Sequence, residues 1–79
     1  MILEVRLFAG LQKYVMEAKS GEPFEVTADD GQTLAELVEQ LGIPEREAYV
    51  TMVNGQTLPV STVLKDGERI GIFPPVGGG

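Results

Sequence analysis

Residues 2 to 8 alternate, with Leu3, Val5 and Leu7 on one side and Glu4 and Arg6 on the other. A period of two predicts a half-buried strand. Gly10 breaks it. Leu11, Tyr14 and Val15 then recur at near-helical spacing and predict a short helix. Ser20-Gly21-Glu22-Pro23 reads as a turn. Phe24, Val26 and Ala28 alternate with Glu25 and Thr27, which predicts a second strand over 24–28, antiparallel to the first. After the turn Asp29-Asp30-Gly31-Gln32 comes the clearest local signal in the chain. Thr33 with Glu36 fits a capping box, hydroxyl onto the N3 amide and carboxylate back onto the N-cap amide. Leu34, Leu37, Val38 and Leu41 follow on one helical face. Gly42 supplies a left-handed C′ residue, and Pro44 forbids continuation. The spacing therefore predicts a helix from 33 or 34 to 41.

Pro44-Glu45-Arg46-Glu47 reads as one loose turn. Tyr49 to Val53 is rich in strand formers and ends at Asn54-Gly55, a strong hairpin signal. Thr57-Leu58-Pro59-Val60 returns as a short strand, which the missing donor of Pro59 assigns to an edge. Ser61 to Leu64 reads as a single turn, and Lys65-Asp66-Gly67 as a type I turn. Glu68 to Phe73 alternates again, with Ile70 and Ile72 inward, and Pro74-Pro75 ends the strand. A single helix cannot bury its apolar stripe alone, so it must lie across one face of a mixed sheet. The first and last strands carry strong apolar alternation and suit adjacent central places. The expected class is α+β, a sheet grasping one helix.

Composition narrows the chemistry. Seventy-nine residues leave room for one domain. The chain has no cysteine and no histidine, which excludes disulfide scaffolds, zinc fingers, iron–sulfur sites and Ser–His or Cys–His catalysis. Twelve acidic residues against six basic give a net charge of −6. That balance argues against nucleic acid and anionic membranes as partners, and favours a partner with a basic surface. No apolar run approaches the roughly 20 residues of a bilayer span, and the first residues lack a signal peptide's basic start. The cytoplasm is the expected compartment.

Several residues qualify as candidate sites. Asp29-Asp30 sits in a turn with no further convergent ligands, so a metal or acid–base role is not indicated. Glu4 and Arg69 are expected to pair if the first and last strands are neighbours, and Arg6 and Arg69 are either solvated sheet charges or partner contacts. Phe8 and Phe73 fall opposite to the core set of their strands. They either cover an edge of the core or anchor a partner. Val76-Gly77-Gly78-Gly79 is the most informative stretch. Three glycines in a row cannot stabilise a fold, and Pro74-Pro75 stiffens the exit. A tail without Cβ atoms can thread a narrow channel and present the Gly79 α-carboxylate at a remote active site. A floppy end is the plainer alternative.

Taken together these segments resemble the MoaD/ThiS sulfur carriers, prokaryotic relatives of ubiquitin. The resemblance spans nearly the whole chain. It rests on Phe8-Ala9-Gly10-Leu11, Gly31-Gln32-Thr33-Leu34-Ala35-Glu36-Leu37, Val53-Asn54-Gly55, Lys65-Asp66-Gly67-Glu68, and Ile72-Phe73-Pro74-Pro75-Val76-Gly77-Gly78-Gly79. The Phe-Pro-Pro-Val run is closest to the MoaD branch, the small subunit of molybdopterin synthase. The resemblance implies a β-grasp domain over 1–76 and a flexible glycine tail over 77–79. It also implies a non-catalytic carrier whose Gly79 carboxylate is adenylated by a ubiquitin-activating-type adenylyltransferase. A sulfur donor protein then converts it to a thiocarboxylate. The large subunit of molybdopterin synthase would use that sulfur to build the dithiolene. Gly78, Gly77, Val76, Pro75 and Phe73 are carried over as docking contacts, beside Phe8 from the alternation. The chain would bind no cofactor, ATP and Mg²⁺ belonging to the activating enzyme. Thiamine thiazole synthesis, another thiolation pathway, a ubiquitin-like modifier and a plain interaction module are the alternatives.

Overall fold

The computed structural model describes residues 1–75. Its strands are β1 (Ile2–Leu7), β2 (Phe24–Thr27), β3 (Val50–Val53), β4 (Gln56–Thr57) and β5 (Arg69–Phe73), with one α-helix, α1 (Leu34–Gln40). Short 3-10 helices cover Leu11–Tyr14 and Glu45–Glu47. The sheet order is β2-β1-β5-β3-β4, with β1 and β5 parallel and every other pair antiparallel. This is the mixed β-grasp sheet, with the first and last strands central as the alternation required.

Register explains the core. Leu3 faces Val26, Val5 faces Phe24 and Ile70, and Leu7 faces Ile72. Side chains directly opposite one another share a face. One face of the sheet therefore presents Leu3, Val5, Leu7, Val26, Ile70, Ile72 and Val53, all buried with Leu34, Leu37 and Val38 of α1.

The helix is terminated as its sequence requires. The Glu36 amide donates to Thr33 Oγ1 (3.2 Å), and the Thr33 amide donates to Glu36 Oε1 (2.9 Å). At the other end Gly42 has φ +75°, Gly42 N–H reaches Glu39 O (3.0 Å) and Ile43 N–H reaches Val38 O (3.2 Å). These two bonds make a Schellman motif. Leu41 is the C-cap, so α1 stops one residue short of the expected end. Thr33→Ala removes the cap acceptor, and we expect it to cost about 1 kcal/mol, read as a lowered urea midpoint with unchanged slope.

Three loops differ from the sequence-based expectation. The return strand is only Gln56–Thr57, not 57–60. Beyond it Leu58 N–H bonds Thr51 O, and Thr62 N–H bonds Pro59 O (both 3.0 Å), so the chain curls away at Pro59. Its apolar positions, Leu58 and Val60, pack on the core instead of pairing. The turn expected at 61–64 accordingly lies at 59–62, and Val63 forms an isolated bridge with Thr33. At Lys65-Asp66-Gly67-Glu68, Gly67 has φ +81° while Asp66 does not have positive φ, which makes the turn type II rather than type I. Asp66 is a clamp for β1: its Oδ1 accepts from the Ile2 amide (2.7 Å), and Gly67 N–H bonds Ile2 O (2.8 Å).

Candidate functional site

The face of the sheet away from α1 carries the candidate residues. Along β1 and β5 the outward positions are Ile2, Glu4, Arg6, Arg69, Gly71 and Phe73, with Phe8 just past the end of β1. Phe8 N–H bonds Ile72 O (3.2 Å), which continues the parallel ladder. The chain then turns sharply, since Ala9 (φ +53°) and Gly10 (φ +99°) are both left-handed and Leu11 N–H closes onto Phe8 O. This turn fixes where the Phe8 ring begins.

Phe8 and Phe73 lie face to face, with ring centroids 4.3 Å apart and planes 2° from parallel. Gly71 makes room for them. A Cβ on Gly71 would sit 3.6 Å from Phe73 Cε1, 3.7 Å from Phe8 Cε2 and 3.9 Å from Met52 Cβ. A methyl group fits at those distances, but a longer side chain would displace both rings. On its other side Phe8 lies against Gly21. The rings are half-buried, so the pair forms a ridge on the open sheet face that is apolar and reachable.

A hollow lies on each side of this ridge. The broader one is lined by Lys13, Tyr14, Arg46, Tyr49, Phe73 and Pro75, among others. Tyr49 is 71% exposed there, although its amide donates to Phe73 O (3.0 Å). The Tyr14 hydroxyl donates to the Glu47 carboxylate and ties the two 3-10 helices together. That hydrogen bond is the main reason the Tyr14 phenol is raised above its usual pKa, with Arg46 opposing the shift. Lys13 sits 5.1 Å above the Tyr14 ring. The narrower hollow is lined by Glu4, Arg6, Phe8, Gly55, Arg69 and Phe73.

Each expected site residue in the described range can now be placed. Phe8 and Phe73 are brought together, and Pro75 joins Phe73 at the rim of the broader hollow. Val76, Gly77, Gly78, Gly79 and the boundary between 76 and 77 lie outside the described residues. Glu4 and Arg69 are register partners as expected. The ion pair within 4 Å, however, is between Glu4 and Arg6 (3.9 Å), on the same strand. Asn54 does more than turn the hairpin. Its Oδ1 accepts from the Arg69 amide (2.9 Å) and its amide donates to Arg69 O (2.8 Å), locking the hairpin to β5. Asp29 and Asp30 are not part of this face. Asp30 lies 3.6 Å from the Met1 nitrogen, and the Asp29 amide is capped by Gln32 Oε1 (3.1 Å). No group of three acidic side chains among the described residues is placed to hold a metal ion. No helix among them is long and apolar enough to cross a membrane.

Sequence reasoning missed Tyr49, Met52 and Gly71 as parts of this face. The signal was available, because an outward position opposite two aromatic residues must be small if their rings are to meet.

The family model described as Mut7-C ubiquitin matches residues 1–77. The chain belongs to the Mut7-C ubiquitin family. The solution structure of the HVO 2177 protein of Haloferax volcanii is 27% identical, with a TM-score of 0.78, over 100% of this chain and 87% of that one. A chain in the complex of subunits 1 and 2 of molybdopterin-converting factor from Helicobacter pylori is 28% identical, with a TM-score of 0.61, over 100% of both chains. A putative molybdopterin converting factor, subunit 1, from Pyrococcus furiosus is 26% identical, with a TM-score of 0.72, over 96% of this chain and 99% of that one. SAMP1 of Haloferax volcanii and ThiS of Geobacter metallireducens share the fold at 22% and 21% identity. No curated protein sequence matches the chain. The Mut7-C ubiquitin chain thus has the ubiquitin-like fold of the sulfur carriers and modifiers, and its resemblance to the MoaD/ThiS group holds across the whole domain.

Proposed function

We propose that this chain is a sulfur carrier whose reacting group is the Gly79 carboxylate. Its favoured role is as the small subunit of molybdopterin synthase. The observation that carries the reading is the exit of the chain. β5, a central strand, delivers Phe73-Pro74-Pro75 to the rim of the broader hollow, and the glycines follow in sequence. Likeness to two molybdopterin-converting chains at 26% and 28% identity supports that branch. No cofactor is assigned to the carrier, and the cytoplasm is its proposed compartment.

The chemistry follows from the group used. A carboxylate is a poor electrophile. Its oxygen attacks the α-phosphate of ATP in the adenylyltransferase, forming an acyl-adenylate and releasing pyrophosphate. Sulfide then attacks the carbonyl carbon. The bond to AMP breaks and a thiocarboxylate remains. The carrier supplies no acid, base or nucleophilic side chain. Its part is to dock and to extend a tail narrow enough for a buried site. In the molybdopterin role the large catalytic subunit then takes the sulfur.

The test is intact mass after incubation with ATP, Mg²⁺, a ubiquitin-activating-type adenylyltransferase and sulfide. The expected result is a gain of one sulfur and loss of one oxygen. An unchanged mass, with an adenylyltransferase proven active on another carrier, rejects the reading. The loaded carrier is then mixed with molybdopterin synthase large subunit and its pterin substrate. Loss of the sulfur supports the molybdopterin role, and retention moves the proposal to thiamine or another thiolation pathway.

A further inference from the structure

Charge is segregated on this molecule. Lys13 and Arg46 line the broader hollow beside the phenylalanine ridge, and Arg6 and Arg69 line the narrower one. These are four of the chain's six basic residues, while only Glu47 and Glu4 of its twelve acidic residues line the same hollows. The local balance is +2, which leaves −8 for the rest of the chain. All four cations are exposed. Glu47 is occupied by the Tyr14 hydroxyl, and among the described residues Lys13, Arg46 and Arg69 have no carboxylate within 4 Å. The composition favours a partner with a basic surface, but the hollows flanking the apolar ridge are net positive, with Glu25 of β2 the acidic neighbour opposite Glu4 on the same outward face.

We infer that the open sheet face docks a protein patch that is apolar at its centre and carboxylate-bearing at its rim. The Phe8–Phe73 ridge would meet the apolar centre, with Lys13 and Arg46 on one flank and Arg6 and Arg69 on the other. This deepens the carrier reading and rests on it only for the identity of the partner. The net-negative remainder has a complementary effect: it disfavours approach of the partner's carboxylates elsewhere, so the field orients encounter as well as strengthening it. An aromatic centre with a charged rim is also the usual division of labour in an interface, anchors inside and steering outside.

The uniformly ¹⁵N-labelled full chain is titrated with three probes: a synthetic peptide of alternating glutamate and leucine, its lysine–leucine counterpart, and a single-stranded RNA oligonucleotide. The acidic peptide is expected to shift the resonances of Phe8, Lys13, Tyr49, Met52 and Arg69 at about tenfold lower concentration than the basic one. Salt should weaken that response, since the Debye length is about 8 Å at physiological ionic strength. Lys13→Glu with Arg46→Glu, or Arg6→Glu with Arg69→Glu, should abolish the preference, and Glu39→Lys on the helix should leave it intact. Amide dispersion verifies that each variant is folded. Preference for the basic peptide, or shifts confined to the helix side, overturns the inference. Tighter binding of RNA at this face overturns it in favour of nucleic acid. With a working adenylyltransferase, either reversal at the ridge should raise the KM for the carrier about tenfold with kcat kept. An unchanged KM counts against the inference. If the wild-type chain gains no sulfur, the carrier reading fails, and the peptide titration still decides the docking face.

Discussion

Removing Gly79 alone is expected to abolish the sulfur-for-oxygen mass gain and to leave the fold untouched. The reason is positional. The described core is built from residues between Leu3 and Ile72, and a terminal glycine has no side chain to add to it. It moves the carboxylate back by one residue, roughly 3.3–3.6 Å of extended chain. Reacting atoms must approach within about 3–3.5 Å in a productive geometry, so a shift of that size leaves the carboxylate out of reach. Thermal unfolding of the shortened chain should superimpose on that of the parent, while intact mass after the ATP and sulfide incubation stays unchanged. A shortened chain that still gains sulfur would refute the terminal-carboxylate mechanism.

Leu37→Ala should unfold a large share of the molecules at 37 °C. Leu37 is fully buried at the middle of α1, packed within the cluster that joins the helix to β1 and β5. Truncating a buried leucine costs about 2–5 kcal/mol. A domain of this size has roughly 3–5 kcal/mol in total, and no disulfide supplements it, since the chain has no cysteine. Met16 is the internal control, being 99% exposed, and Met16→Ala should leave the urea midpoint in place. A Leu37→Ala protein with the parent's midpoint would show that the helix-to-sheet packing does not hold the fold together.

Legibility in the sequence divides along a physical line. The capping box of Thr33 and Glu36, the Gly42 stop and the Asn54-Gly55 hairpin are set by residues within a few positions of one another. So are the inward runs Leu3-Val5-Leu7 and Ile70-Ile72. Backbone geometry and a two- or 3.6-residue period determine such features without help from the rest of the chain. Pairing of the first and last strands was also readable, because only a central place suits strong apolar alternation in both. The short β4 was not. Leu58 and Val60 look like strand positions, and only the core beside them decides that they pack rather than pair.

The same line runs through the candidate site. Phe8 and Phe73 could be marked as outward aromatic residues from alternation alone, and the glycines could be marked as a tail. That the two rings stack depends on β1 and β5 lying in parallel register with Gly71 between them, a relation across more than sixty positions of sequence. The sign of charge at the docking face is likewise a tertiary property. Net charge sums over every residue regardless of place. A partner at the ridge senses chiefly the charges within about a Debye length. The amino-acid order therefore settled most of the elements and the helix caps. Folding alone decided that Lys13, Arg46, Arg6 and Arg69 gather around two phenylalanines, because sheet register brings together residues that local sequence cannot.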